Sequence, residues 1–461
     1  MDRDDAYLSP NDAFLWVQEA DPLLRSTISG LATLDRRPDW ERLRARIERA
    51  AAVIPELRQH IVEPPTPGTS ARWVPTPDLD LDYHLRRVQA PQPHDLDAAL
   101  ELARVSAMAG LDRARPLWEF NLIDGLSGDR AAFHTKLHHV LTDGIGAMQL
   151  AAEVFDLERD APPAALPPPS VDEPAPEGSA LIVDAMRHDL GQLLGAGREL
   201  VGRLGEQVAG SIRHPVRTAT DTIETARSLA RMIEPLHETL SPVMIDRRLV
   251  WRLAVLDVGV HELKAAAHEL GGSLNDGYLT GLTGGLRRYH EHHGAPIDEL
   301  RFAMPISLRT ADDAAGGNHV TLMRFAVPVG LTDPAERFAA LRSRVAEVRD
   351  ERSIPHTQAV AGALNLLPPA VVGSMMKHVD VLASNVPGID VPIYLGGARV
   401  ERYYPFGPTL GAAVNATLLS YDGTCCIGLT VDAGAVPDVE VFRDCMIDGF
   451  AEVTDLATAG R

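Results

Sequence analysis

The 461-residue sequence predicts a mixed α/β protein built in two halves. Short extended patterns alternate with helical ones along most of the chain, which argues for sheets flanked by helices. A proline-dense segment, Asp160 to Gly178 (DAPPAALPPPSVDEPAPEG), interrupts that alternation. Proline at this density fixes φ and removes backbone donors, so the segment reads as an extended linker. The length is about three times the roughly 150 residues of a common domain, which fits two large units and a connector. The expected division is 1–160, a connector over 161–245, and 246–461.

Composition excludes several classes. With 45% hydrophobic and 23% charged residues the chain can bury a core, so wholesale disorder is ruled out. The formal net charge is -20 and no run of Lys or Arg interrupts it, which argues against a nucleic-acid partner, since phosphate neutralisation needs clustered cations. The acidic start, Met1 to Asp5, leads into no apolar stretch, so the expected location is the cytoplasm. The most apolar run, Leu364 to Met376, is too short to span a bilayer and contains Pro368-Pro369. Cys425, Cys426 and Cys445 lack the spacing of a disulfide framework or a metal pair and read as free thiols.

Taken in order, Asp39 to Val53 carries apolar residues at helical spacing, while Trp73-Val74 and Tyr83-His84-Leu85 look extended. Asp95 to Met108 reads as a helix with Asp95 as N-cap. Trp118 to Ile123 and Arg130 to His138 read as the strands of a hairpin, Asp124 to Asp129 as its turn, and Ile145 to Phe155 as a helix. Beyond the linker, Ala180 to Leu240 is helix-compatible up to a break at His214-Pro215. This stretch is near neutral in an acidic protein, and its apolar face has two alternatives, a membrane or lipid-droplet surface and the protein itself. Further helices are expected at Val260 to Leu270, Asp276 to His290 and Asp333 to Arg349, and a hairpin over Gly411 to Val431 around Asp422-Gly423.

The segment that carries chemistry is His138-His139-Val140-Leu141-Thr142-Asp143-Gly144, between the hairpin and the next helix. An imidazole titrates near neutrality and suits a general base. Asp143 can turn back from the helix start to fix the loop, and Gly144 gives the backbone freedom of a sharp strand-to-helix turn. A metal site at His134, His138, His139 and Asp143 is disfavoured, because consecutive strand residues such as 138 and 139 point to opposite faces. A packed core pair is the bland alternative for two adjacent histidines.

HHVLTDG resembles the HHxxxDG motif of the acyl-CoA-dependent acyltransferase superfamily, which includes chloramphenicol acetyltransferase and peptide-synthetase condensation domains. Leu8-Ser9-Pro10-Asn11-Asp12, Arg115-Pro116-Leu117-Trp118-Glu119, Leu274-Asn275-Asp276, Gly317-Asn318 and Ser384-Asn385-Val386-Pro387-Gly388 follow in order. Together they resemble the bacterial wax ester synthase/diacylglycerol acyltransferase family over nearly the whole chain. At the start, Asn11 stands where that family usually has a small or apolar residue.

The resemblance implies two chloramphenicol-acetyltransferase-like domains, each a mixed sheet with flanking helices, and an active-site tunnel between them. It implies His139 as the base that deprotonates a hydroxyl, with His138 and Asp143 holding geometry. Gly144 would keep the channel open, Trp118 would sit near the acyl-binding region, and Asn275-Asp276 would face the site, Asn275 as an oxyanion donor. Asn275-Asp276 also suits the N-cap of the following helix. The implied reaction joins a fatty acyl group from acyl-CoA to diacylglycerol or a long-chain alcohol, without metal or redox cofactor; peripheral attachment to the inner membrane or lipid droplets stays the alternative that the helix-compatible stretch offers. His138 to Asp143 also satisfies the HxxxxD pattern of glycerolipid acyltransferases, a fold that usually comes with a shorter chain and membrane segments. A silent lipid-binding protein of the same fold, and an enzyme for a specialised hydroxyl or amine, are the other readings.

Overall fold

The computed structural model describes residues 6–64, 69–141, 144–162, 183–185, 188, 238–307, 320–349 and 377–459. Most of the proline linker and of the helix-compatible connector, together with Gly317-Asn318, Thr142 and Asp143, lies outside these residues.

The first half runs α1 (Pro10–Gln18), β1 (Thr27–Leu34), α2 (Trp40–Val53), β2 (Gln59–Val62), β3 (Arg72–Pro75), a single turn α3 (Leu81–His84), β4 (Leu85–Gln89), α4 (Leu96–Met108), β5 (Trp118–Leu126), β6 (Arg130–His138) and α5 (Gly144–Val154). The second runs β7 (Trp251–Gly259), α6 (Val260–Glu269), α7 (Leu274–His292), β8 (Glu299–Ser307), β9 (Val320–Pro328), α8 (Pro334–Arg349), β10 (Val381–Ile389), β11 (Tyr394–Leu395), β12 (Ala398–Phe406), β13 (Val414–Tyr421), β14 (Thr424–Asp432) and α9 (Val439–Ala459).

Side-chain caps set several of these boundaries. Asp39 and Asp95 each accept a backbone N–H of the first helical turn of α2 and α4, as their N-cap positions require. Asp80 does the same for Tyr83, so residues 81–84 wind into one turn and the strand begins only at Leu85. The extended reading of Tyr83-His84 is thereby corrected: a local cap outweighs the strand propensity of an aromatic residue. Asp422 and Gly423, at φ of 43° and 82°, form the tight turn joining β13 to β14, as the Asp-Gly pair predicts.

Two six-stranded mixed sheets organise the described residues. The first has the order β11-β12-β1-β6-β5-β4, the second β7-β14-β13-β10-β8-β9. Parallel pairing occurs between β4 and β5 in the first, and between β10 and both β8 and β13 in the second. The core of the first sheet gathers Trp118, Phe120, Leu122 and Phe133 against Leu43 and Ile47 of α2. That of the second packs Tyr278, Leu282 and Leu286 of α7 against Phe442, Met446 and Phe450 of α9.

The halves of the sequence and the two sheets do not coincide. Strands β11 and β12 come from the second half, yet β12 pairs antiparallel with β1 and completes the first sheet. The chain then returns at once to the second sheet through β13. At this crossover the two sheets touch: a Cβ on Gly428 would lie 1.9 Å from the Pro405 carbonyl oxygen, so only glycine fits. Beside it Arg402 and Tyr404 both bind the Asp257 carboxylate of β7, Tyr404 at 2.9 Å. Residues 394–406 therefore join the N-terminal unit in space, across the division expected at 246.

Candidate active site

Strand β6 delivers the two histidines. His138 is its last residue, and His139 opens the short 3-10 turn His139–Leu141 that leads toward α5. The backbone of each is clamped separately. The His138 N–H donates to the Leu117 carbonyl at 3.0 Å, and the His139 N–H donates to the Ser26 carbonyl at 2.9 Å. The Pro116-Leu117-Trp118 motif thus supplies the carbonyl that holds the first histidine in place.

His138 is buried, with a hydrogen bond at one ring nitrogen and a carboxylate close to the other. Nδ1 accepts the Val140 N–H at 3.2 Å, which leaves the proton of the neutral ring on Nε2. Nε2 lies 3.1 Å from Glu19 Oε1, close in distance though off the straight N–H···O line. Burial works to raise the Glu19 carboxyl; His138, the Ser26 N–H and nearby Arg25 outweigh it and hold Glu19 below the usual carboxylate range. Glu19 Oε1 also accepts the Ser26 N–H at 2.6 Å. One carboxylate therefore holds the ring of His138 and, through the Ser26 backbone, the amide of His139.

Glu19 follows α1, and the start of that helix explains the Leu8-Ser9-Pro10-Asn11-Asp12 segment. Ser9 caps the helix by accepting the Asp12 N–H at 3.1 Å, with Pro10 at its first position. Trp16, farther along α1, meets the His138 ring edge-on at 5.8 Å between centroids. Its indole N–H binds Glu63 at 2.5 Å. Nothing in the sequence around Glu19 marks it as a site residue; only the fold brings it to His138.

Beneath the histidine turn, one face of β6 carries a buried polar row. His134, Lys136 and His138 alternate along the strand and so share a face. His134 Nε2 bonds Ser29 Oγ at 2.7 Å and Nδ1 bonds Asn121 Nδ2 at 3.3 Å. Complete burial, with the Lys136 charge adding to it, lowers the imidazole to about 3, so the ring is neutral. Lys136 pairs with Glu119 of β5 at 3.6 Å, the glutamate that follows Trp118 in the same motif.

His139 differs from its neighbour in exposure: it is only partly buried, at the point where the chain leaves the sheet. Gly144 is the first residue of α5, which starts and ends one position before the expected Ile145 to Phe155. Trp118 lies in the packed interior. It has no accessible surface, its indole N–H donates to the Leu57 carbonyl at 2.9 Å, and its ring stacks on His84 at 4.5 Å.

In the second half, Ser273 caps α7, not Asn275 or Asp276. Asp276 is the reciprocal partner, accepting the Ser273 N–H at 2.8 Å. Asn275 Oδ1 accepts from Asn385 Nδ2 at 3.4 Å, so two of the separate motifs meet. Within the second, Gly388 is obligatory: a Cβ there would lie 1.6 Å from the Ser420 carbonyl oxygen. The cysteines are free, and burial pushes Cys425 up to about 11 and Cys426 up to about 12, which keeps both as inert thiols.

The two-sheet architecture is shared with solved wax ester synthase and condensation-domain structures. The wax ester synthase/diacylglycerol acyltransferase from Marinobacter aquaeolei VT8 superposes with a TM-score of 0.64 at 21% identity, over 98% of this chain and 100% of that one. The first condensation domain of the calcium-dependent antibiotic synthetase, in complex with a substrate analogue, gives 0.59 at 14% identity over 98% and 96%. In sequence, residues 8–278 match the profile of the wax ester synthase/diacylglycerol acyltransferase catalytic domain, and 316–454 that of its C-terminal domain. A Mycobacterium tuberculosis protein assigned by name to the diacylglycerol O-acyltransferases is 38% identical over 98% of this chain and 92% of its own. A Mycobacterium bovis protein named likewise is 30% identical over 84% of each. The chain belongs to the wax ester synthase/diacylglycerol acyltransferase family, and is an acyltransferase.

Proposed function

We propose that this enzyme transfers a long-chain fatty acyl group from acyl-CoA to the hydroxyl of a diacylglycerol or a long-chain alcohol, with His139 as general base. The observation that carries the assignment is the division of labour between the two histidines. His138 has its Nδ1 occupied by the Val140 N–H and its Nε2 turned to Glu19, so it has no lone pair to offer a substrate. His139, anchored by its backbone and only partly buried, is the imidazole that the turn presents for chemistry.

His139 removes the proton from the acceptor hydroxyl as the oxygen attacks the thioester carbonyl. The tetrahedral intermediate collapses, the carbon–sulfur bond breaks, and the CoA thiolate regains the proton from His139. Asn275, with Oδ1 taken by Asn385, keeps its Nδ2 as a donor for the developing oxyanion, a type of contact worth about 3 to 4 kcal/mol where measured. Asp143 and Gly144 of the motif are assigned the supporting roles, the carboxylate to fix the turn and the glycine to keep the substrate channel open. Trp118 serves the acyl site through the strand it anchors. Asp276, tied to Ser273, sets the helix start from which Asn275 projects.

No helix among the described residues is long and apolar enough to cross a membrane. Attachment at a membrane or droplet surface from the cytoplasm fits the exposed aliphatic side chains of Ile245, Leu249 and Val250, clustered in one short segment.

The test incubates the purified protein with palmitoyl-CoA and either hexadecanol or dipalmitoylglycerol, following thiol release and lipid product. Acceptor-dependent release that vanishes in His139→Ala supports the assignment, and full activity in folded His139→Ala refutes it. Asn275→Ala lowers turnover more than acyl-CoA affinity if it meets the oxyanion; a loss in binding alone argues against that role.

A further inference from the structure

Glu19 and Ser26, which grip the histidine pair, bound a short segment, and a residue of the second half is attached between them. Asp21 opens the 3-10 turn Pro22–Leu24. Its two carboxylate oxygens do different work: Oδ1 accepts the Leu23 N–H at 3.1 Å, while Oδ2 lies 2.9 Å from Lys377 Nζ. Lys377 leads into β10 of the second sheet and lies against Gly411, whose φ of 86° bends the loop between β12 and β13. Arg247 donates to the Gly411 carbonyl at 2.7 Å and pins that loop from the other side. The ammonium thus comes from a well-held part of the second half and reaches across to the first. It is one of three lysines in the chain, with Lys136 and Lys264.

We propose that Lys377 is a positioning residue: by holding Asp21 it fixes the 19–26 segment, and so couples the seating of the second sheet's loops against the first half to the geometry of the histidine turn. Lys377 is 35% and Asp21 22% exposed, so the pair is sheltered enough to orient the segment while staying a modest interaction. Loosening it frees the segment that holds the Ser26 and His139 amides, and His139 then spends less time in its productive orientation. Binding of acyl-CoA does not depend on that orientation, so the effect falls on turnover.

Asp21→Asn keeps the acceptor for the Leu23 N–H and removes the charge, Lys377→Met removes the cation, and Lys377→Arg keeps it. Hydrogen exchange is followed in peptides covering 19–26 and 138–141, with kcat and KM for palmitoyl-CoA. Asp21→Asn and Lys377→Met, each as a single change, are expected to speed exchange in both peptides and lower kcat about two- to fivefold with KM little changed, the range of a part-exposed ion pair. The double change is expected to be no worse than either single one, and Lys377→Arg to stay near the unaltered protein. Unchanged exchange at 138–141, or effects that simply add in the double variant, overturns the proposal. The kinetic arm rests on the acyl transfer proposed above and the exchange arm does not. If the unaltered protein releases no CoA with any acceptor, that reading fails while exchange still decides this one.

Discussion

Glu19 Oε1 lies 3.1 Å from His138 Nε2, and the same oxygen receives the Ser26 N–H at 2.6 Å. A residue outside every recognisable motif therefore sets both members of the histidine pair. Glu19→Gln preserves the shape and removes the charge. It should lower stability by about 1.5 to 3 kcal/mol, the usual range for a hydrogen bond to a charged group, and reduce kcat with less effect on KM. Urea unfolding and steady-state kinetics on one preparation check both.

His139→Ala should lower acyl transfer by about 100- to 10,000-fold while the protein stays folded, since the side chain is a partly exposed base and not a core residue. His138→Ala should cost stability as well, because it strips Glu19 and Val140 of their partner. Thermal melts beside CoA-release assays separate the two histidines.

Trp118→Phe tests packing against substrate contact. The indole N–H bond to Leu57 and part of the stack on His84 are lost, so unfolding should come easier by about 1 to 3 kcal/mol. KM for acyl-CoA should hold. A raised KM without loss of stability would return Trp118 to the substrate site.

Gly428→Ala should be among the most damaging single-methyl changes in the molecule, because the added carbon meets the Pro405 carbonyl at 1.9 Å, where the two sheets touch. A loss of about 1 to 3 kcal/mol or more is expected from the forced separation of β12 and β14. Denaturant midpoints provide the measure.

His134 predicts an acid limb. Its folded value is lowered to about 3, while the unfolded chain takes up that proton near 6.5, so the unfolded state binds more protons between those limits. Stability should fall as pH drops from about 6.5 toward 3, with a slope of up to about 1.4 kcal/mol per pH unit from this residue. Glu19 adds to the loss at the lower end. Its folded value is depressed, so its contribution is present above the usual carboxylate range and disappears as pH falls through the folded value. His134→Gln should be less stable at neutral pH yet flatten the slope, and unfolding free energies measured from pH 7 to pH 4 decide it.

Much of the site was legible because its parts are local. The hairpin from Trp118 to His138, the helix capped at Asp95 and the Asp422-Gly423 turn each depend on residues a few positions apart, and each stands where its pattern places it. The single turn at Tyr83-His84, where the pattern predicts a strand, has an equally local cause, the Asp80 cap. The capping of α7 was displaced by two positions because Ser273 takes the place open to Asn275. Lys136 with Glu119, Asn275 with Asn385 and Asp21 with Lys377 have no signature at all, since their partners lie on other strands or in the other half.

The sequence by itself determined the class: periodicity and caps settled which segments wind or extend, the ordered motifs pointed to the family, and HHVLTDG marked the chemistry. The tertiary structure alone decided which histidine is locked into the buried polar row, which one stays partly exposed, and which second-half strand completes the first sheet. Those outcomes depend on one local bond and on long-range contacts: Val140 on His138 within the turn, and, from far along the chain, Glu19 beside His138, Ser26 on His139 and β12 on β1. Spacing along a chain records what neighbours can do for each other; the loop closures that bring Glu19 to His138 and Tyr403 to Ala32 are selected only when the whole core packs.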